Sequence, residues 1–247
     1  MDEDGNPASL SIWAQLRVFT GLLAVPGFVH CLSVFTFAEA TINAFSTFMD
    51  YQLKHVFMPD TIGMIGIWFI LSGMLSSAVF SMIVDRTMWY KRVTLIVFCG
   101  AIVSLIVFSY LTAMPSAAAQ FSEIDLDAAA DMYDSAAVST YSPTAIYIAV
   151  IAVGFWLGPL QPIAVEAAAE CTYPLAEELS ATMLQLTANF ASAALVPLCL
   201  SLRGADGDMS KANWLVVILV VVVCAFFTTW YVFLIRSAIA PYILLIP

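Results

Sequence analysis

The sequence predicts an all-α integral membrane protein, a bundle of six transmembrane helices. Three observations predict it. Six charge-poor apolar runs occupy most of the chain, at about Val18–Phe48, Thr61–Val84, Val93–Met114, Tyr141–Val165, Leu179–Leu202 and Asn213–Ile235. Each suffices for a helix, which at 1.5 Å per residue needs about 20 residues to cross about 30 Å of hydrocarbon. Charged residues make up only 11% of the chain and the mean hydropathy is +0.94, outside the range of a water-soluble domain. Finally, stretches such as Trp214–Phe227 do not alternate polar with apolar residues, as the strands of a membrane barrel would.

The first run is too long for one upright span. Pro26-Gly27 interrupts it, and both residues weaken a helix. Before that break Ile12, Leu16, Phe19 and Leu23 share one face, so Ser9–Val25 reads as an amphipathic helix at the inner interface. Residues 1–25 then form a cytoplasmic tail with this interfacial helix. The first crossing extends from about Pro26 to Asp50, the bundle covers 26–236, and 237–247 form a tail. With the chain starting its crossing at Pro26, Glu39 lies roughly 20 Å along the helix, inside the hydrocarbon.

An even number of spans puts both termini on one side. Arg17, Arg86, Lys91, Arg92 and Arg236 then fall on one side, and Lys54, Arg203 and Lys211 on the other. The positive-inside bias therefore predicts cytoplasmic termini, in a plasma or organellar membrane. Loop 115–142 carries Glu123, Asp125, Asp127, Asp131 and Asp134 with no base. It reads either as a solvated lumenal loop or as a vestibule attracting cations. The acidic segment Met1–Pro7 is a poor signal peptide and a poor mitochondrial presequence, which leaves insertion to the first span. A net charge of −10 excludes nucleic acid as a partner, because phosphates would repel it. Cys31, Cys99, Cys171, Cys199 and Cys224 lie in or beside apolar runs without CxxC spacing, as small buried hydrophobes do.

Several side chains are too polar for their surroundings. Glu39 and Asn43, four apart, share a face of the first crossing. An ionised carboxylate in lipid costs roughly 2.5–3.5 kcal/mol on insertion scales, so Glu39 serves either a solute or proton site or an interhelical hydrogen bond. Gln185 and Asn189 pair likewise on the fifth span, as cavity donors and acceptors or as structural amides. Trp156, Gln161 and Pro162 lie on the fourth span, where proline and glycines loosen the helix. Glu166 and Glu170 come late in that span, either as an inner gate paired with Arg86, Arg92 or cations of a second half, or as a wet interfacial anion pair. His30 is a packing residue or, less simply, a haem ligand. No nucleophile motif or HExxH site accompanies these carboxylates, so neither an enzyme nor a bound metal or cofactor is expected.

Two segments resemble known transporters. The turn Ser81–Arg92 is similar to the loop signature of the major facilitator superfamily at Asp85, Arg86, Lys91 and Arg92, with Ser81 and Met88 replacing its glycines. The segment from Gly154 to Ser180 resembles the feline leukaemia virus subgroup C receptor-related family. Gly154, Phe155, Pro162, Glu166, Glu170, Thr172, Tyr173, Pro174, Glu177 and Ser180 all match a pattern that joins the tenth and eleventh helices there. Further matches at Ala44, Ser46, Thr47, Ile65, Gly66, Ser72–Leu75, Val84 and Asp85 follow in order.

The resemblance implies the carboxy-terminal half of a twelve-helix transporter, built from inverted three-helix repeats around a midplane site. It implies a small organic cargo such as choline, ethanolamine or haem, moved by alternating access. It also implies a second six-helix half, whether a separate chain, a second copy or residues beyond this sequence. Asp85, Arg86 and Arg92 would latch neighbouring helices. Asn189 stands where the family has a cavity glutamine, and Asn43 where it tends to have an aromatic ring. Losing that ring removes a cation–π contact for a quaternary ammonium group. Glu39 has no family counterpart. A non-transporting membrane subunit derived from a half-transporter is the other reading.

Overall fold

The computed structural model describes residues 20–54, 57–113, 143–173, 177–204 and 209–243. Its helices are α1 (Phe28–Leu53), α2 (Pro59–Thr87), α3 (Tyr90–Ala113), α4 (Pro143–Leu157), α5 (Leu160–Thr172), α6 (Glu177–Ser201) and α7 (Ser210–Ile243). Among the described residues there is no strand, and six spans are long and apolar enough to cross a bilayer, α4 and α5 together making one. The architecture is thus the all-helical six-span bundle that the apolar runs predict. Acidic loop 115–142 and most of the amphipathic segment Ser9–Val25 lie outside the described residues.

Each helix boundary has a local cause. Gly27 caps α1 in a left-handed conformation, φ 92°, which a residue without a Cβ adopts at no steric cost. Pro59 opens α2 at a first-turn position, where its missing N–H removes no helical bond. Met88 ends α2 at φ 54° while its N–H bonds the Val84 carbonyl at 2.7 Å. It accepts backbone strain there. Gly158-Pro159 separates α4 from α5, because Pro159 offers no N–H to continue the ladder. The α7 backbone continues to Ile243, past the boundary at 236 drawn from the sequence. After the lone charge of Arg236, Ala238, Ile239 and Ala240 still favour helix, and no breaker precedes Pro241.

Two contacts organise the bundle. First, α1 runs parallel to α6 and also touches α5 and α7, placing it at the centre. Its hydroxyl and amide groups make two rungs to α6, Thr36 to Thr187 at 2.9 Å and Asn43 Nδ2 to Ser192 Oγ at 3.0 Å. Second, α2 lies against α4 at backbone contact. A Cβ on Gly158 would meet the Gly73 carbonyl oxygen at 2.6 Å, and one on Gly154 would meet Ser72 Oγ at 2.7 Å. Small residues permit this approach, which drives helix association in lipid through van der Waals contact. Ser72 Oγ then donates across it to the Ile151 carbonyl at 3.0 Å. Phe45 closes the core between α1, α2 and α3, its ring centroid 5.4 Å from that of Phe69 and 4.9 Å from that of Phe108.

Candidate functional site

The central span supplies the site. Glu39 is the twelfth residue of α1, about 17 Å from its start by rise, and hence near mid-membrane. The break at Gly158-Pro159 brings the first turn of α5 to the same level. Gln161 projects from that turn and donates through Nε2 to Glu39 Oε2. Asn43, one turn along α1, donates through Nδ2 to Glu39 Oε1 at 3.3 Å and to Ser192 Oγ. All four side chains are half-buried. The result is a carboxylate clasped by two neutral amides, with a hydroxyl of α6 completing the chain.

The electrostatics of this arrangement are lopsided. Among the described residues no cationic side chain bonds Glu39. Amide donors satisfy its lone pairs without cancelling its charge, and the α5 N-terminus adds only the fractional positive charge of a helix end. A carboxylate at this depth therefore keeps a negative charge that its neutral partners do not cancel.

Of the other sequence candidates, some join this cluster and others do not. Gln185 and Asn189 bond each other, Nε2 to Oδ1 at 3.3 Å, on the exposed face of α6. They stand one to two turns from Ser192 and do not touch Glu39. Trp156 lies apart. Its ring occupies the notch left by Gly100, where a Cβ would collide with it, and it meets Phe80 at 5.9 Å and Phe155 at 5.3 Å. Five residues along a helix turn it well away from Gln161, so it serves the α2–α3–α4 packing. Ser192 is not legible in the sequence, because a lone serine in an apolar run carries no pattern. Its spacing of three from Asn189 was the available signal.

The other end of the bundle holds the remaining candidates. Asp85 and Arg86 are exposed at the end of α2. Arg92 does not reach the glutamates; its guanidinium stacks over the Trp89 ring, 4.8 Å from the centroid. Glu170 accepts a hydrogen bond from the Tyr90 hydroxyl at 2.9 Å. Glu166 Oε2 is buried without a hydrogen-bond partner, and Asp85 and Glu170 are its charged neighbours. Within this bundle Glu170 is thus engaged by Tyr90, across α3 and α5, and Arg92 by Trp89. Tyr90 opens α3 against the last turns of α5, which brings its hydroxyl to Glu170. His30 stacks on Phe226 with centroids 4.6 Å apart, which suits a packing role. Among the described residues no group of three or more metal-ligating side chains occurs.

These features define a class: an integral, multi-pass membrane protein with a polar cluster in the centre of its bundle. Among known proteins, the chain is similar to an uncharacterized MFS-type transporter of Caenorhabditis elegans, 26% identical over 187 residues. The match covers 75% of this chain and 27% of that protein, so the chain spans about a quarter of the length of the relative it matches. The similarity supports the major facilitator superfamily and membrane transport in general, rather than enzymatic activity. No protein-family profile matches the chain.

Proposed function

We propose that this six-helix bundle is the carboxy-terminal half of a transporter, and that a small organic cation is held between it and a second six-helix bundle. The observation that carries the reading is the Glu39 carboxylate at mid-membrane, bonded by Gln161 and Asn43 and neutralised by neither. A cationic solute supplies the missing charge. Choline and ethanolamine fit this chemistry through Coulomb attraction alone, since Asn43 offers no aromatic face. Haem, the other cargo associated with the receptor-related family, carries carboxylates and fits Glu39 poorly.

The faces of the bundle support a second half. Only 22% of the α2 and α6 windows is buried, against 39–56% in the other spans. On α6 the uncovered face carries the Gln185–Asn189 amide pair. Amides turned to acyl chains lose their hydrogen bonds to water, so a polar cleft shared with another bundle suits them better than lipid. In the proposed membrane orientation both termini are cytoplasmic, and the Asp85–Arg92 turn with Glu166 and Glu170 lies at the inner mouth.

Uptake of radiolabelled choline or ethanolamine into proteoliposomes, with the protein and its second bundle present, tests the reading. Glu39→Gln should cut uptake at least 10-fold, the effect of losing roughly 1.4 kcal/mol of charge pairing. Gln161→Ala should reduce it less. Wild-type uptake no greater than that of empty vesicles would remove these cargoes. Undiminished uptake by Glu39→Gln would remove the site.

A further inference from the structure

Helices α1 and α5, which meet at Glu39 and Gln161, meet again at the end of the bundle that carries Asp85 and Tyr90. There the Cys31 and Cys171 side chains line the same cavity and lie in each other's immediate surroundings, and both thiols are free. They stand on the wall of one cavity of about 120 Å³, together with Tyr90, Lys91 and Glu170. Cys31 is 2% exposed, and Cys171 is half-buried at the last turn of α5. Treating both as small hydrophobes therefore accounts for their burial and not for their pairing across two helices.

We propose that Cys31 and Cys171 form a peroxide-responsive dithiol, a modification site that closes reversibly into a disulfide bridging α1 and α5. The oxidant is hydrogen peroxide. One sulfur attacks a peroxide oxygen, the O–O bond breaks, and the departing hydroxide takes up the thiol proton as water, leaving a sulfenic acid. The second sulfur attacks the first, the S–O bond breaks, and a second water leaves. Two thiols and one peroxide thus give one disulfide and two waters.

The cavity suits that reagent. One water needs about 10–15 Å³ of such space, so a two-oxygen molecule fits, whereas a tripeptide thiol such as glutathione does not. The ammonium of Lys91, the carboxylate of Glu170 and the hydroxyls of Tyr90 and Thr94 make part of the wall polar. A bond here would cross-link the same two helices that carry the Glu39–Gln161 contact. The thiols lie about 12 Å from Glu39 along α1 and about 15 Å from Gln161 along α5. The chemistry is independent of any cargo, and so is its test.

The full chain in native-like membranes is titrated with hydrogen peroxide, alkylated, digested without reduction and analysed by mass spectrometry. A linked pair of peptides bearing Cys31 and Cys171 should rise from background to the main species, and dithiothreitol should return both thiols to the alkylated pool. A Cys99→Ala/Cys199→Ala/Cys224→Ala variant should form the same link. Cys31→Ser should instead stop Cys171 at a sulfenic acid captured by dimedone. The proposal is overturned if Cys31 stays alkylatable after exposed Cys99 has been oxidised, or if Cys171 advances to sulfinic acid with no link formed.

Discussion

At the scale of single residues, Met88 and Glu39 carry the most consequence. Met88 holds φ 54° at the end of α2, a region that costs a side chain roughly 1–2 kcal/mol. Met88→Gly should therefore raise the melting temperature of the detergent-solubilised protein, with a gain of about 1 kcal/mol. Met88→Ile should lower it, because a β-branched side chain fits that region worse. A thermal melt of both variants checks the sign. Phe45, with 0% exposure and ring contacts to two other helices, should cost about 3–5 kcal/mol on truncation to alanine. The sequence placed Glu39 and Asn43 on one face through their spacing of four. It also flagged Gln161 as a polar residue beside prolines. It could not show that Gln161 points at Glu39 while Trp156, five residues earlier, turns away. That distinction depends on the azimuth of the kinked span and on the Gly100 notch, which belong to the fold.

At the scale of elements, the α2–α4 crossing and the α4–α5 joint stand out. Gly154 and Gly158 meet the α2 backbone so closely that any added carbon must move a helix. Gly158→Leu should destabilise the bundle by about 1–3 kcal/mol through overpacking, measured as loss of helical signal on heating. Ser72→Ala should have a smaller effect, about 1 kcal/mol, since it removes a single interhelical hydrogen bond. The six spans were legible from apolar run length, and Pro26-Gly27 announced the start of α1. The helical extent of α7 to Ile243 was not legible, because Arg236 hides how far the residues after it still favour helix. The pairing of Arg92 with Trp89 was equally hidden, since a basic turn beside acids suggests ion pairs until directions are known.

At the scale of the whole molecule, the question is what covers α2 and α6. A single cysteine introduced at Asn189 in a cysteine-free protein should react with a water-soluble maleimide in native membranes, because the proposed cleft would wet that face. A cysteine at Ile96 on the apolar outer face of α3 should not. Equal silence at both positions would assign the α6 face to lipid and leave the bundle without a cleft. Resemblance to the loop and the Gly154–Ser180 segment suggested half of a larger assembly, and the short share of the relative that the chain spans is compatible with it. Apolarity alone did not reveal that α2 is among the least enclosed helices, since its mean hydropathy of 2.0 exceeds the 1.3 of the central α1. The lower 1.5 of α6, against 1.9 and 2.4 in the adjoining spans, was a legible sign.

The two rungs from α1 to α6 also constrain how such a bundle could work. Thr36 with Thr187 and Asn43 with Ser192 rivet these parallel helices at two heights, so neither can slide or swivel past the other without breaking both. They should travel as a single beam. The compliance needed to expose Glu39 to one side and then the other must then come from the joint at Gly158-Pro159, where the backbone ladder is already interrupted and only the Gln161 amide has to let go.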